Sequence, residues 1–354
     1  IKKIDELINI RIEKIQEFNK NNINPYPHNF KVTKTVDEII ENESKLINSK
    51  EEVATAGRIL SIRNMGKVLF LNIQGEFRKI QCYISNKIIE MDEELYSLYL
   101  KNLDIGDFVG LSGEMFYTKT KEYSLRVSKI NILSKSIRPL PTLKEKDGDL
   151  FNKFEDKELR YRYRYLDFIA NPENKKIFIT RHKIIQSFRS FLNDLNFTEV
   201  ETPVLQPLYG GANARPFTTH HYTLDKKLYL RIAVELYLKR LIVGGFPKVY
   251  ELTKNFRNEG MDRNHNPEFT MLEFYQSFSD VYDMMDLTEN MLRSVSKSIS
   301  LGDIDFNGKI INFDKQFTRV TMDELMREEF GIDDIILNDK KIINIAKKLE
   351  LDID

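Results

Sequence analysis

Two hydrophobic periods alternate along this chain, and each change of period marks a change of element. Over residues 1–19 apolar side chains fall at Ile4, Leu7, Ile8, Ile12, Ile15 and Phe18, with Lys and Glu between them. Spacings of three and four residues place these on one helical face. The polar run NKNNINPYP ends the helix, because neither Pro25 nor Pro27 can continue one. We read this segment as a docking helix in preference to an RNA-binding one. From residue 53 the period shortens to that of strands, in the runs VATAGRILSI, KVLFLNI, KIQCYI, FVGLSGEMFY and YSLRVSKINIL. A less β-like stretch, residues 86–102, separates the third run from the fourth.

Five strands with a helical insert in that place predict an OB-fold barrel over 53–135, preceded by a helix and lead-in over 1–52. Such barrels commonly read single-stranded nucleic acid. By pattern alone Phe70 reads as barrel core. The stretch SKSIRPLPTLKEKDGDLFNK holds two prolines, a glycine and a charge run, and we read 136–153 as an interdomain linker. A second domain is expected over 154–354, opening with ELRYRYRYLDFIANPE.

Inside that second domain the helical period returns over 174–196, with Ile177, Ile184, Ile185, Phe188, Phe191, Leu192 and Leu195 near one stripe. FTEVETPVLQP follows, and Pro203 belongs at an edge or bend of any strand there. LYGGANARPF carries adjacent glycines, which permit either close approach of backbone to a ligand or a plain tight turn. His220 and His221 do not read as a metal site: neighbours on a strand point to opposite faces, and no third ligand stands near. LYLRIAVELYLKRLIVGG passes from strand to helix near Ala233. There Glu235 and Lys239 have the spacing of a surface ion pair.

Residues 249–278, VYELTKNFRNEGMDRNHNPEFTMLEFYQSF, organise the rest. As two extended segments they put Tyr250, Leu252 and Phe256 on one face, and Glu251, Thr253, Asn255, Arg257 and Glu259 on the other. In the second segment Leu272, Phe274 and Phe278 share a face, with Phe269, Met271, Glu273 and Tyr275 opposite. The intervening turn carries Asp262, Arg263, His265 and Asn266. An antiparallel hairpin so patterned rests one face on a core and turns the other into a charged floor under a polar loop.

Composition narrows the choices. Lys and Arg total 54 against 54 Asp and Glu, so no global field draws the chain to nucleic acid and any such binding is local. The single cysteine, Cys82, excludes an internal disulfide and a cysteine zinc site, and fits a reducing compartment. With no apolar run of membrane-spanning length and no signal-peptide pattern, a cytoplasmic location is expected.

FRNEG followed by HNPEFTMLEFY resembles the second signature motif of class II aminoacyl-tRNA synthetases, in the form used by lysyl-tRNA synthetases. Helix, strand and Pro203 together resemble the family's first motif, RYRYRYLD its domain junction, GGANARPF its amino-acid loop, and RIAVELYLKR the segment where Val234 replaces the usual proline. The resemblance implies an α+β multidomain protein: an anticodon-binding OB barrel, then the class II antiparallel-sheet catalytic domain. It implies activation of lysine with ATP and transfer to tRNA(Lys), in a homodimer joined through the first motif. Carried over by motif, Arg257 grips phosphate and is the catalytic candidate. Glu259 accepts from the adenine amino group, Phe269 stacks on the ring, and His265 and Asn266 reach the phosphates. Gly211, Ala212, Glu235, Glu273 and Tyr275 are the lysine-binding candidates. On the barrel, Arg63, Phe70, Gln81 and Glu122 correspond to the anticodon readers.

A departure accompanies the match. The family's third motif is a glycine-rich strand-to-helix turn with an arginine for the γ-phosphate and acidic magnesium ligands just before it. Past Phe278 the glycines are Gly302, Gly308 and Gly331, and none lies in such a motif. Residues 303–337 resemble an insertion, and the chain halts in KKIINIAKKLELDID. The expectation is a catalytic domain incomplete at its C-terminus and inactive as it stands. Magnesium ligands are then expected beyond residue 354, with no metal site inside the chain. A non-catalytic tRNA-binding relative is the alternative, and a lysine-transferring paralogue acting on protein or lipid is a third reading. Intact Arg257, Glu259, Glu235 and Phe269 weigh against a pure binder, and the barrel without a membrane segment weighs against the paralogue. Aspartyl and asparaginyl enzymes share the architecture, but GGANARPF and Glu235 favour a cationic substrate.

Overall fold

The computed structural model describes residues 2–66, 68–140, 143–146, 149–152, 156–332 and 339–350, with side-chain detail also withheld at 2–4, 143–152 and 339. Parts of the expected linker, of the 303–337 segment and the last four residues therefore lie outside the described residues. Two compact units emerge, Ile1–Phe178 and Ile179–Asp354.

The first unit is built on a closed barrel of β1 (Val53–Asn64), β2 (Val68–Gln74), β3 (Lys79–Ser85), β4 (Phe108–Tyr117) and β5 (Tyr123–Ser134), ordered β1-β2-β3-β5-β4. Strict alternation sends Leu69, Leu71, Ile73, Ile80, Cys82, Ile84, Leu125 and Val127 inward. Phe70 falls between two of them and lies half-buried on the outer face, so its assignment to the core is corrected. Ahead of the barrel stand α1 (Lys2–Lys20), α2 (Val36–Glu41) and α3 (Glu43–Ser49). The expected helical insert is α4 (Glu93–Asn102), started by Asp92, whose carboxylate accepts the Leu95 N–H at 2.7 Å.

Helix α1 docks on the barrel through its C-terminal half. Phe18 is fully buried with its ring 5.4 Å from that of Tyr99, Lys14 reaches Asp104 at 2.6 Å, and Arg11 donates to the Ser136 carbonyl at 2.6 Å. Leu7 and Ile12, expected on the packed face, are exposed. Beneath this contact the fully buried Lys135 ammonium lies 2.6 Å from both Asp104 and Asp107. Burial pushes the Asp107 carboxyl up despite Lys135. For Asp104 burial acts the same way, but the Lys135 and Lys14 hydrogen bonds outweigh it and hold the carboxyl below its usual range.

This unit also holds the pair β6 (Leu143–Lys146) and β7 (Asp149–Asn152), then α5 (Lys157–Arg162) and α6 (Arg164–Ala170). The alternating Arg and Tyr residues fold around Asp167, which is buried and receives Arg160 at 2.7 Å, Asn171 at 2.9 Å and Asn174 at 3.0 Å.

Helix α7 (Lys175–Asp194) leads into the second unit. It is followed by β8 (Thr198–Glu199), β9 (Leu205–Gln206), β10 (Thr218–His221), β11 (Lys226–Leu230), α8 (Glu235–Val243), β12 (Lys248–Phe256), β13 (Glu268–Gln276) and α9 (Val281–Ser298). Beyond them lie the hairpin β14 (Ile304–Phe306) and β15 (Lys309–Ile311), α10 (Met322–Phe330) and α11 (Asp339–Lys348).

Strands β13, β12 and β8 form one sheet, and β10, β11 and β9 another, with Pro203 in the bend between β8 and β9. Tyr250 of β12 packs with Leu192, Phe197 and Met291, flanked by Phe188, Leu272 and Phe274. Ile177, at the start of the α7 stripe, stays exposed. Phe278 does not share the apolar face of β13. The strand ends at Gln276, and Phe278 turns away fully exposed at φ 58°.

Candidate functional site

Antiparallel pairing of β12 with β13 sets Tyr250 opposite Phe274 and Leu252 opposite Leu272 on the core side. On the other side it sets Asn255 opposite Phe269, Thr253 opposite Met271, and Glu251 opposite Glu273. Just past β12 the Arg257 N–H donates to the Pro267 carbonyl at 2.9 Å, closing the mouth of the hairpin. The Arg257 guanidinium lies 5.1 Å over the Phe269 ring. Its Nε is buried and meets no hydrogen-bond acceptor among the described residues.

Around these two side chains opens a pocket of about 280 Å³, lined by Arg257, Glu259, Gly260, Asn264, His265, Asn266 and Phe269. All five residues expected to contact the nucleotide line it together. Gly260 and Asn264 join them without having been singled out. The loop containing Arg215 also reaches this pocket's rim: its carbonyl accepts the Asn258 N–H at 2.7 Å, and its N–H donates to Glu259 at 3.4 Å.

A second cluster stands on the same side of the hairpin. Gly211 adopts φ +87°, and a Cβ there would lie 3.0 Å from the Glu235 Cβ and 3.2 Å from the Ala233 Cβ. Glycine at 211 therefore lets the loop backbone close onto Glu235, where a side chain would collide. Ala212 beside it is half-buried. Glu235 opens α8, where the helix dipole favours a carboxylate. Its carboxylate receives the Lys239 ammonium, so the expected ion pair is present. The Tyr275 hydroxyl donates to Glu273 at 3.0 Å. Burial pushes the Tyr275 phenol far above its ordinary range, with the charges of Glu273 and then Glu235 adding to it. Gly211, Glu235, Glu273 and Tyr275 thus share one acidic neighbourhood.

On the floor side itself lies a buried network that the pattern of letters did not disclose. Arg231 and Glu251, 2% and 3% exposed, pair at 2.6 Å. Glu251 also accepts the Thr202 hydroxyl at 2.7 Å, while Arg231 donates to the Thr202 carbonyl at 3.0 Å, to the Lys254 carbonyl at 3.0 Å and to the Thr253 hydroxyl. Glu251 and Asn255, expected on an open charged floor, are on that side but buried. One signal could have exposed this arrangement. Two acids directly opposite, Glu251 and Glu273, repel unless a cation intervenes. The arginine of RIAVELYL supplies it.

On the barrel, the outer face of β2, β3, β4 and β5 carries a run of rings. Phe70 meets Tyr83 edge-on at 5.5 Å, Tyr83 meets Phe116 at 5.8 Å, and the Arg126 guanidinium covers Phe116 at 4.4 Å. Arg63 donates to Gln81 at 3.2 Å, and Gln81 to Ser124 at 2.9 Å. Glu122 is exposed in the turn before β5, where its N–H donates to the Thr118 hydroxyl at 3.0 Å. Sequence reasoning missed Tyr83, Phe116 and Arg126. Strand alternation could have found Tyr83, two residues beyond Gln81.

Among the described residues no group of three or more His, Cys, Asp or Glu side chains stands close enough to hold a metal ion. His220 pairs instead with Asp225 at 3.1 Å, and His221 accepts the Leu224 N–H at 3.3 Å. Among the described residues no helix is long and apolar enough to cross a membrane.

Residues 156–346 match the family of class II tRNA synthetases (D, K and N), and residues 53–133 match the OB-fold nucleic acid binding domain. The chain is 46% identical to the lysine–tRNA ligase of Carboxydothermus hydrogenoformans over 332 residues, covering 93% of this chain and 65% of that protein. It is 46% identical to the lysine–tRNA ligase of Methanoculleus marisnigri over 327 residues, 91% of this chain and 62% of the relative. With the lysine–tRNA ligase of Azobacteroides pseudotrichonymphae the identity is 44% over 349 residues, 97% of this chain and 70% of the relative. The chain thus spans between 62% and 70% of the length of these three relatives.

Proposed function

We propose, from the premise that the chain belongs to the class II tRNA synthetases of the D, K and N group, that it carries the lysine-activating and tRNA-binding parts of a lysine–tRNA ligase. The observation that carries this reading is the buried Arg257 Nε, which has no acceptor although its guanidinium rests on an aromatic ring at the edge of a pocket. Buried donors are nearly always paired, and an oxygen acceptor on a ligand in the pocket would pair this one. A flat ring beneath it suits a base, and phosphate is the acceptor a guanidinium grips best.

In the reaction the lysine carboxylate attacks the α-phosphorus of ATP, a new P–O bond forms, and the bond to pyrophosphate breaks. The carboxylate is already ionised, so no protein base is needed. What is needed is alignment and neutralisation of developing charge. Arg257 supplies the charge, Phe269 and Glu259 hold the adenine by stacking and by accepting from its amino group, and His265 and Asn266 reach the phosphates. ATP enters as its magnesium complex, and the described residues offer no set of ligands for that ion. Their own share of charge neutralisation rests on Arg257.

Glu235, Glu273 and Tyr275 form the amine-binding side, with backbone at Gly211 and Ala212 closing over the substrate. Lys239 already places on Glu235 the same ammonium group that the substrate carries. The activated acyl group then passes to a tRNA ribose hydroxyl. The barrel, residues 53–135, is assigned the anticodon: Phe70 stacks on an unpaired base while Arg63, Gln81 and Glu122 bond base edges. Exposed Val204 and Leu205 in the first-motif region support assembly with a second copy, and the buried free Cys82 fits a cytoplasmic setting.

Calorimetric titration with lysine and with norleucine tests the assignment. Norleucine lacks the ε-ammonium and is expected to bind at least about tenfold more weakly, because it leaves acidic groups unpaired. Equal affinity for the two would overturn it.

A further inference from the structure

The loop over the Arg257 pocket is held by a side chain that lines no part of that pocket. Asp262 Oδ1 accepts the N–H of Asn264 at 2.6 Å and that of His265 at 2.8 Å, while Oδ2 lies 2.7 Å from His265 Nδ1. Asn264, His265 and Asn266 line the pocket, and Asp262 does not. We propose that Asp262 is a positioning residue for the nucleotide phosphates, fixing the loop and engaging His265 Nδ1 so that Nε2 is presented to the pocket as a donor. This rests on the reading of the pocket as the ATP site.

The chemistry follows from the ring. A neutral imidazole that donates from Nδ1 has only a lone pair at Nε2, which repels phosphate; an imidazolium donates from both nitrogens. A carboxylate on Nδ1 offsets the positive charge of the doubly protonated form. Of the charged groups lining the same pocket, Arg257 opposes that form and Glu259 favours it. Arg263 adjoins in the loop. The ring in turn holds the Asp262 carboxyl below its usual range, through its own hydrogen bond first and then through the Asn264 N–H. With side chains 70% and 61% exposed, the pair contributes little to folding. Its effect therefore falls on binding.

The test is calorimetric titration with magnesium–ATP across the imidazole range, about pH 6 to 8.5, using the wild type, Asp262→Asn, His265→Ala and the double variant. Asparagine keeps an oxygen for the loop N–H groups, so the turn persists, and His265→Ala supplies the baseline for titration of ATP itself. Relative to that baseline, wild-type affinity is expected to fall as pH rises. Asp262→Asn should move this fall to lower pH and weaken binding about fivefold at neutral pH, with no further loss in the His265→Ala background. A profile for Asp262→Asn that coincides with wild type, or a loss that adds to that of His265→Ala, would overturn the proposal. If His265→Ala leaves ATP affinity unchanged at every pH, the phosphate reading of the pocket fails beneath it.

Discussion

The barrel face and the hairpin floor solve opposite problems with similar side chains. On the barrel, Arg63 donates to Gln81, Gln81 to Ser124, and Arg126 covers Phe116, so these side chains already engage one another. On the hairpin, Arg257 has a buried donor and Asn255 a buried acceptor that find no partner among the described residues. A surface that recognises bases by stacking benefits from rings already braced against one another. A site that grips charge in a transition state must keep donors uncommitted until the ligand arrives. The second strategy costs stability, and on the same side of the strands Arg231 and Glu251 form a buried, mutually compensated ion pair.

Breaking that pair is the most severe test of the contrast. Glu251→Ala leaves Arg231 buried and uncompensated, and is expected to destabilise the second unit by about 3–5 kcal/mol. Denaturant unfolding should show the loss in that unit while the barrel's transition stays in place. Next in size, Arg257→Ala should lower adenylate formation by about 10²-fold, the usual consequence of removing a transition-state donor. Affinity for tRNA through the barrel should not change, which a filter-binding titration would check. Glu235→Gln should weaken lysine binding about tenfold while sparing ATP; unchanged lysine affinity would dissolve the amine pocket. On the other side of the comparison, Phe70→Ala should cost about 1–3 kcal/mol of tRNA affinity without touching adenylate formation. An unaffected titration would leave Phe70 as a brace for Tyr83 alone.

The smallest effect concerns alkaline pH. Burial first, and then its hydrogen bond to Glu199, push the Tyr250 phenol up to about 12. A folded value above the unfolded one means that its contribution is fully present below the unfolded value of 10.0 and declines as pH rises toward about 12. Tyr250→Phe should flatten the loss of stability in that window, read as melting temperature against pH.

Much of this was legible because strands repeat with period two. That single rule separated Tyr250 and Leu252 from Arg257, and Phe274 from Tyr275, and the register of β12 with β13 keeps those groups on their faces. It failed where backbone geometry departs from a strand: Phe278 lies past the end of β13 at φ 58°. It failed again where exposure depends on what covers a face. Glu251 alternates with apolar neighbours as a solvated residue would, yet Arg231 and Thr202 enclose it. Those partners come from other segments, so no local period reports them. Tyr83, Phe116 and Arg126 were missed for a similar reason, since their meeting depends on the strand order β2-β3-β5-β4 of the closed barrel. In α1 the apolar stripe is wider and longer than the surface that receives it: Leu7 precedes the docked half, and Ile12, within that half, is left exposed.

The account's central claim is that Arg257 and the acidic pocket around Glu235 activate lysine. Its most direct measurement is lysine-dependent exchange of pyrophosphate into ATP, made with this chain and with the product of the full reading frame that contains it. The account predicts exchange by the full-frame product, dependent on lysine and lost with Arg257→Ala. No exchange by either protein, with tRNA still bound, would contradict it and leave a tRNA-binding relative that does no chemistry.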